Sequence, residues 1–406
     1  MDIKKIRQDF PVFAPASQKS DLIYLDSAAT SQKPQVVIDA VSRFYSNGSA
    51  NIHRAVYDLG EQVTSQYNLV REKIAKFINA QECETIFTSG TTEGINFIAS
   101  TWGRKFIQPG DEIIVSIMGH HANFIPWQQL ASSVGATLKV IDLTPDYQLD
   151  IDQYQRLLTP KTKLVAITQA SNVLGGISNL DLIINQAKHM GSAVLIDAAQ
   201  SAAYVPIDVK KLNCDFLVFS GHKMLAPNGI GILYLAQKWH EQILPYQFGG
   251  GMVADVTVAK STFLQAPEKF EAGTMPLASI MGLGAAVDYL QTKTSKEQLH
   301  HYLASLSERL VIGLQQIPAI NIIGNLTQLK QSSLVSFTVT GYHAHDIAAY
   351  LIQFNICVRA GHHCAQPLHH YLGLPATVRV SFQIYNQPQE VDLLLLKLAQ
   401  LVRQGL

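Results

Sequence analysis

The sequence predicts an α/β protein built on a mostly parallel sheet, with a smaller α+β unit attached. Three observations predict it. Between residues 85 and 235, short apolar runs of strand length alternate with helical stretches, the pattern of a parallel sheet covered on both faces. Polar segments fall where those runs end, and ligands bind at the carboxyl ends of strands in such sheets. At 406 residues the chain exceeds one core of ordinary size, and the alternation stops after about residue 290.

Taken in order, a short helix-like segment precedes the run Leu22–Leu25, which ends at Asp26-Ser-Ala-Ala-Thr30. Helical patterns follow from about Pro34 to Tyr45 and from Asp58 to Ile78. The strand Thr85–Thr88 ends at Ser89-Gly-Thr-Thr-Glu-Gly94 and opens a helix. Glu112–Ser116 ends at Gly119-His-His-Ala-Asn123, and Leu138–Ile141 follows another helix. Leu164–Thr168 leads to Ala170-Ser-Asn-Val-Leu-Gly175, and Ala193–Ile196 ends at Asp197. Asp215–Phe219 reads as a buried strand ending at Ser220-Gly-His-Lys223, and Gly229–Tyr234 as its neighbour after a Pro/Asn/Gly connection. Ser295 to Gln316 is one helical pattern, with Ser295 and Gln298 at capping-box spacing. Ser333–Val339 and Ala376–Phe382 read as half-buried strands. Glu390–Val402 is an amphipathic helix, and Pro388 suits its first turn. The division expected is a large unit over 25–290 and a smaller one from 1–24 and 291–406.

Composition excludes several classes. Lys plus Arg and Asp plus Glu number 31 each, so no charge excess points to nucleic acid or an anionic membrane surface. No stretch reaches the length of an apolar membrane span, and a cytoplasmic protein is expected. The four cysteines, Cys83, Cys214, Cys357 and Cys364, lack C-x-x-C spacing, against a disulfide framework or zinc ribbon. Cys214 and Cys357 lie in apolar surroundings and read as small buried hydrophobes.

The chemistry converges on Lys223. A lysine at a strand end is held by rigid elements and partly desolvated, which lowers its pKa and frees the amine to form a Schiff base. Asp197, one helix and one strand earlier, can reach the same pocket; a lysine amine with a carboxylate near the ring nitrogen is what pyridoxal phosphate needs. A helix cap is the alternative for Asp197. Ser89-Gly90-Thr91-Thr92 offers amides and hydroxyls that suit a phosphate, with Ser220 and His222 as further donors, but it is no Walker A loop. His120 can lie on a planar ring or shuttle protons; Gln200 and Asn172 can hydrogen-bond a ligand or simply be surface. Cys364 stands in a Gly-containing loop with His362, His363, His369 and His370. The spacing argues against a metal, and Arg359 with the imidazoles favours a thiolate nucleophile. Arg379 is a candidate clamp for a substrate carboxylate.

With these residues placed, the sequence resembles the pyridoxal-phosphate-dependent cysteine desulfurases, specifically the group II branch that also holds selenocysteine lyases. The resemblance runs from Tyr24-Leu-Asp-Ser-Ala-Ala-Thr30 to Tyr385-Asn386. Its specific pieces are Gly90-Thr-Thr-Glu-Gly-Ile-Asn96, His120-His-Ala-Asn-Phe-Ile-Pro-Trp127, Ser220-Gly-His-Lys223, Phe270-Glu-Ala-Gly-Thr274 and Arg359-Ala-Gly-His-His-Cys364. The resemblance implies a fold type I architecture with a mostly parallel seven-stranded sheet. It implies that pyridoxal 5'-phosphate sits on Lys223, with Asp197 at the ring nitrogen, His120 on the ring and Gln200 at the phenolic oxygen. Thr91, Thr92, Ser220 and His222 would hold the phosphate, with Thr274 reaching in from the second subunit of a homodimer. Asn172 and Arg379 would bind the carboxylate of L-cysteine, with Arg359, His53 and Arg54 at the entrance. Cys364 would take the sulfur as a persulfide and pass it to a protein acceptor, for iron-sulfur cluster assembly. A lyase acting on L-selenocysteine is the alternative. The chain departs from the family at Gly119, where Glu is usual before the His pair, at Ala198, at Met224-Leu-Ala-Pro-Asn228 and at Met275-Pro276.

Overall fold

The computed structural model describes residues 1–14, 21–53, 56–178 and 180–404. Strands are numbered in chain order. A two-residue strand β1 (Ile23–Tyr24) and the helices Gln35–Ser46 and Asp58–Ile78 precede β2 (Thr85–Thr88). Then come β3 (Glu112–Ser116), β4 (Thr137–Ile141), β5 (Thr162–Thr168), β6 (Ala193–Asp197), β7 (Phe216–Ser220) and β8 (Gly231–Leu235). These last seven form one sheet in the order β2-β8-β7-β6-β5-β3-β4. β3 through β7 are mutually parallel, while β8 runs antiparallel to both its neighbours.

Alternate residues of these strands feed two separate cores. Ile114, Val165, Ile196 and Leu217 join the larger cluster, and Ile113, Val115, Leu195 and Phe216 the smaller one on the other face. That is why the runs read as continuously apolar: both faces are covered.

The expected strands and helices are present, several within one or two residues of their predicted ends, and the capping box at Ser295 and Gln298 forms. Other elements escaped the sequence reading. The hairpin β9 (Val253–Val256) and β10 (Ser261–Phe263) is largely exposed and carries no burial pattern. The helix Leu277–Lys293 buries residues around most of its circumference, which erases the helical period. Its close approach depends on Gly282, where a Cβ would lie 2.4 Å from Pro227 Cγ. A four-stranded sheet follows in the order β11 (Ile320–Ile323), β12 (Leu334–Val339), β15 (Thr377–Ser381) and β14 (Arg359–Gly361). β13 (Ile356–Cys357) lies outside that sheet and pairs in parallel with β1.

Two expectations are corrected. β12 and β15 are not half-buried but buried almost throughout. Their polar alternation, Ser336 opposite Arg379, faces the other sheet's loops rather than water: Ser336 Oγ donates to Val173 C=O at 2.7 Å and Arg379 to Asn172 C=O at 3.0 Å. Cys357 is not fully buried: it is half-buried beside Ile356, whose side chain the core takes. Among the described residues no helix is long and apolar enough to cross a membrane.

Candidate active site

A cavity of about 440 Å³ opens where the carboxyl ends of the parallel strands meet the four-stranded sheet. The ends of β3, β5, β6 and β7 contribute. His120 and Ala122 follow β3, Asn172 follows β5, Asp197 ends β6, Ser220 ends β7, and His222 and Lys223 follow it. Thr91 and Thr92 enter from the turn after β2; Arg359, His363, Cys364 and Arg379 come from the smaller sheet. Residues far apart in sequence meet because every parallel strand points its carboxyl end to the same edge.

Lys223 is half-buried there, and desolvation brings its ammonium down to about 8, opposed by Asp197. The peptide before it is pinned. His222 C=O accepts from Ser31 N–H and Oγ, both at 2.9 Å, and from Lys33 Nζ at 3.1 Å. Asp197 is 3 % exposed and accepts from Ala199 N–H at 3.0 Å within a turn, so it caps no helix. Burial pushes its carboxyl pKa up, which a cationic donor at the cavity floor would relieve.

The turn after β2 is set by close backbone approach. Gly90 lies at φ +155°, and a Cβ on Gly231 of β8 would sit 2.5 Å from Gly90 Cα. This seats Thr91, whose N–H donates to Ser220 Oγ at 2.9 Å; the two hydroxyls lie 2.9 Å apart. Amide, hydroxyls and His222 form a cradle for an anionic group. Gln200 Nε2 donates to Ala28 C=O at 2.9 Å, placing it at the cavity wall.

His120 Nδ1 accepts Ala122 N–H at 3.0 Å, and burial with the Lys223 charge holds the ring down to about 3. His222 is held to about 4 by the same causes, and burial with Arg379 holds His363 to about 2. The rings of His120 and His363 are therefore neutral at neutral pH, and His363 adds no positive charge beside Cys364. The positive charge comes from Arg359 and Arg379, both electrostatically coupled to Cys364. Cys364 itself is exposed. Among the described residues no group of three or more His, Cys, Asp or Glu is arranged to hold a metal ion.

Arg379, 3 % exposed, has Nη2 at 3.4 Å from Asp26 and leaves Nε without a partner, as does the Oδ1 of buried Asn172. These orphaned atoms border the cavity and suit the carboxylate and hydroxyl oxygens of a small ligand. A pyridine ring bearing phosphate fits the donor set: amine, buried carboxylate and anion cradle share one chamber. Asp26 escaped the sequence reading. It binds Arg359 through Nε at 3.0 Å and Nη2 at 2.6 Å and also faces Arg379; its place at a strand end, like that of Asp197, was the available signal.

Two predicted residues stand elsewhere. Thr274 and His53 line a second cavity of about 860 Å³, away from Lys223. Arg54 lies outside the described residues.

An aminotransferase class-V family profile matches residues 23–394. A cysteine desulfurase of Serratia proteamaculans is 44% identical over 392 residues, covering 96% of each chain. The solved S-sulfonic acid form of cysteine desulfurase CsdA from Escherichia coli superposes with TM-score 0.92 at 37% identity, covering 99% of each chain. The apo cysteine desulfurase of Thermococcus onnurineus NA1 gives TM-score 0.94 at 36% identity, covering 99% of this chain and 98% of that one.

Proposed function

Because the chain belongs to the aminotransferase class-V family and is a cysteine desulfurase, we propose that it converts L-cysteine to L-alanine with Lys223 as proton carrier and Cys364 as sulfur acceptor. The observation that carries this is the meeting of Lys223 and Cys364 in one cavity. Pyridoxal 5'-phosphate, when bound, supplies the electron sink for the pair released at the substrate Cα. Lys223 would hold it covalently, Asp197 would face its ring nitrogen, and Gln200 its phenolic oxygen. Thr91, Thr92, Ser220 and His222 would hold the phosphate, and His120 would cover the ring.

Arg379 binds the substrate carboxylate through its unpartnered buried Nε–H, Asn172 beside it offers its unpartnered Oδ1 to a donor of the bound ligand, and Arg359 stands at the entrance. Once freed, the Lys223 amine takes the Cα proton; a base near 8 is matched to that task at neutral pH. The Cys364 thiolate attacks the substrate sulfur. An S–S bond forms, the C–S bond breaks, and its electron pair stays with the carbon fragment, which is protonated and leaves as L-alanine. In sum, L-cysteine and the Cys364 thiol become L-alanine and a Cys364 persulfide. The exposure of Cys364 suits onward transfer to a protein acceptor, for which iron-sulfur assembly is the use we propose. In this reading residues 25–290 hold the cofactor, while 1–24 and 291–406 bring the acceptor cysteine. Thr274 serves the site from the second subunit of a homodimer, and His53 and Arg54 line its entrance.

The test compares L-alanine made from L-cysteine, with cofactor and reductant present, by the parent enzyme and by Cys364→Ala. Loss of alanine in the variant is expected. Equal alanine from both would remove Cys364 from the role of acceptor.

A further inference from the structure

His121 has no part in the chemistry above, yet it holds the segment that carries Cys364 at two points. Its backbone N–H donates to Cys364 C=O at 2.7 Å, and its Nε2 accepts the Gln366 N–H at 3.1 Å. These bonds bracket the cysteine, one at the residue and one two positions later. A third bond from the same sheet edge, Asn172 Nδ2 to His363 C=O at 2.6 Å, holds the residue before it.

The segment needs holding. His363 lies at φ +52° and Cys364 at φ +55°, two consecutive non-glycine residues in the left-handed region, where the Cβ crowds the following carbonyl. A cysteine in this conformation keeps its direction only if its surroundings over-determine it. The bond from Ala365 N–H to His362 C=O at 2.9 Å closes a turn but does not tie it to the cavity. Asn172 and Thr377 tie the segment at His363, and from the cysteine onward the tie comes from the strand-end loop after β3, through His121.

We propose that His121 is a positioning residue for sulfur transfer: with Nε2 unprotonated, it clamps the Cys364 segment against the cavity so that the thiol faces the substrate sulfur. The neighbourhood keeps that acceptor available, since burial and the nearby His362 hold the His121 ring below its ordinary value. The inference rests on Cys364 being the sulfur acceptor.

The test uses cofactor-loaded enzyme and three variants. His121→Gln places an acceptor oxygen at about the reach of Nε2; His121→Asn is too short; His121→Ala has none. Two quantities are read: the rate of the first absorbance change on mixing with L-cysteine, and kcat for L-alanine with the persulfide on Cys364 followed by mass. His121→Ala and His121→Asn should keep the first rate and the KM within about twofold and lose about ten- to hundredfold in kcat, the scale of a small misplacement of a reacting group. His121→Gln should recover most of that loss. Should the alanine variant fail to fold, the Gln and Asn pair decides the matter alone. Full kcat in His121→Asn, equal losses in Gln and Asn, or a slowed first absorbance change would each overturn the clamp. If Cys364→Ala still makes alanine from cysteine, the acceptor reading fails and the clamp with it. If Cys364→Ala is inactive while His121→Ala is unimpaired, only the clamp fails.

Discussion

At the scale of single residues, burial does most of the tuning, and it acts on bases. Lys223 at about 8 has a useful fraction of free amine at neutral pH, which an ordinary lysine lacks. The rate at which cofactor-free protein captures pyridoxal 5'-phosphate should therefore rise about tenfold per pH unit up to about pH 8 and then level off. A rate still climbing steeply at pH 9.5 would mean that the amine is not desolvated. Asp26 acts through charge, since one carboxylate faces two guanidiniums of the cavity wall. Asp26→Asn should raise the KM for L-cysteine about tenfold, the worth of one charge-assisted hydrogen bond, by letting Arg379 and Arg359 turn. An unchanged KM would show that Arg379 is oriented by Asn172 C=O alone. Lys223 and Cys364 were legible in the sequence because their types are rare in such contexts. Asp26 and His121 were not, because their roles lie in partners hundreds of positions away.

At the scale of elements, close packing and caps set the positions of the site loops. The helix Leu277–Lys293 lies against Pro227, four residues after Lys223, through the bare face of Gly282. Gly282→Ala forces a Cβ into that ring and should cost about 1–3 kcal/mol, with a lower thermal midpoint and weaker cofactor retention together. A drop in midpoint with full cofactor retention would separate the helix from the lysine loop. The cap at Ser295 is a control remote from the cavity: Ser295→Ala should cost about 1 kcal/mol and leave kcat and KM unchanged. The buried pair of Arg71 with Glu271, at 2.6 Å, has a different function, since Glu271 also accepts the Phe87 N–H at 2.8 Å and so ties the chain before Thr274 to β2. Apolar periodicity made the capped helix at 295 easy to read. The helix at 277 was hidden because it is apolar on nearly every side.

At the scale of the whole molecule, three half-buried imidazoles make the cofactor-free fold sensitive to acid. His120, His222 and His363 are held to about 3, about 4 and about 2, well below the ordinary value near 6.5. The folded state therefore refuses protons that the unfolded chain binds. Their contribution is complete above about pH 6.5 and is lost as pH falls from there toward the folded values, at about 1.4 kcal/mol per pH unit for each proton. Urea midpoints of the cofactor-free protein should fall between pH 7.5 and pH 5, with less loss in His363→Gln if that side chain is accommodated. Equal midpoints at the two pH values would show that these rings are hydrated in solution. The same rings stand between the two sheets, so acid should loosen first the contact that builds the cavity.

The sequence by itself determined the strands of the mostly parallel sheet and most of the helices around them, and it singled out the candidate residues at the strand ends. Local apolar periods and residue types at strand ends are properties of neighbouring positions and need no partner to be read. Only the tertiary structure decided that β8 runs against its neighbours, that the polar faces of β12 and β15 are buried against the large sheet, and that Thr274 stands apart from Lys223. It also decided that the rings of His120 and His363 are held below their ordinary range and that His121 holds the loop of Cys364. Those facts depend on which distant segments exclude water from one another, and burial of that kind arises only when the two sheets close over the cavity.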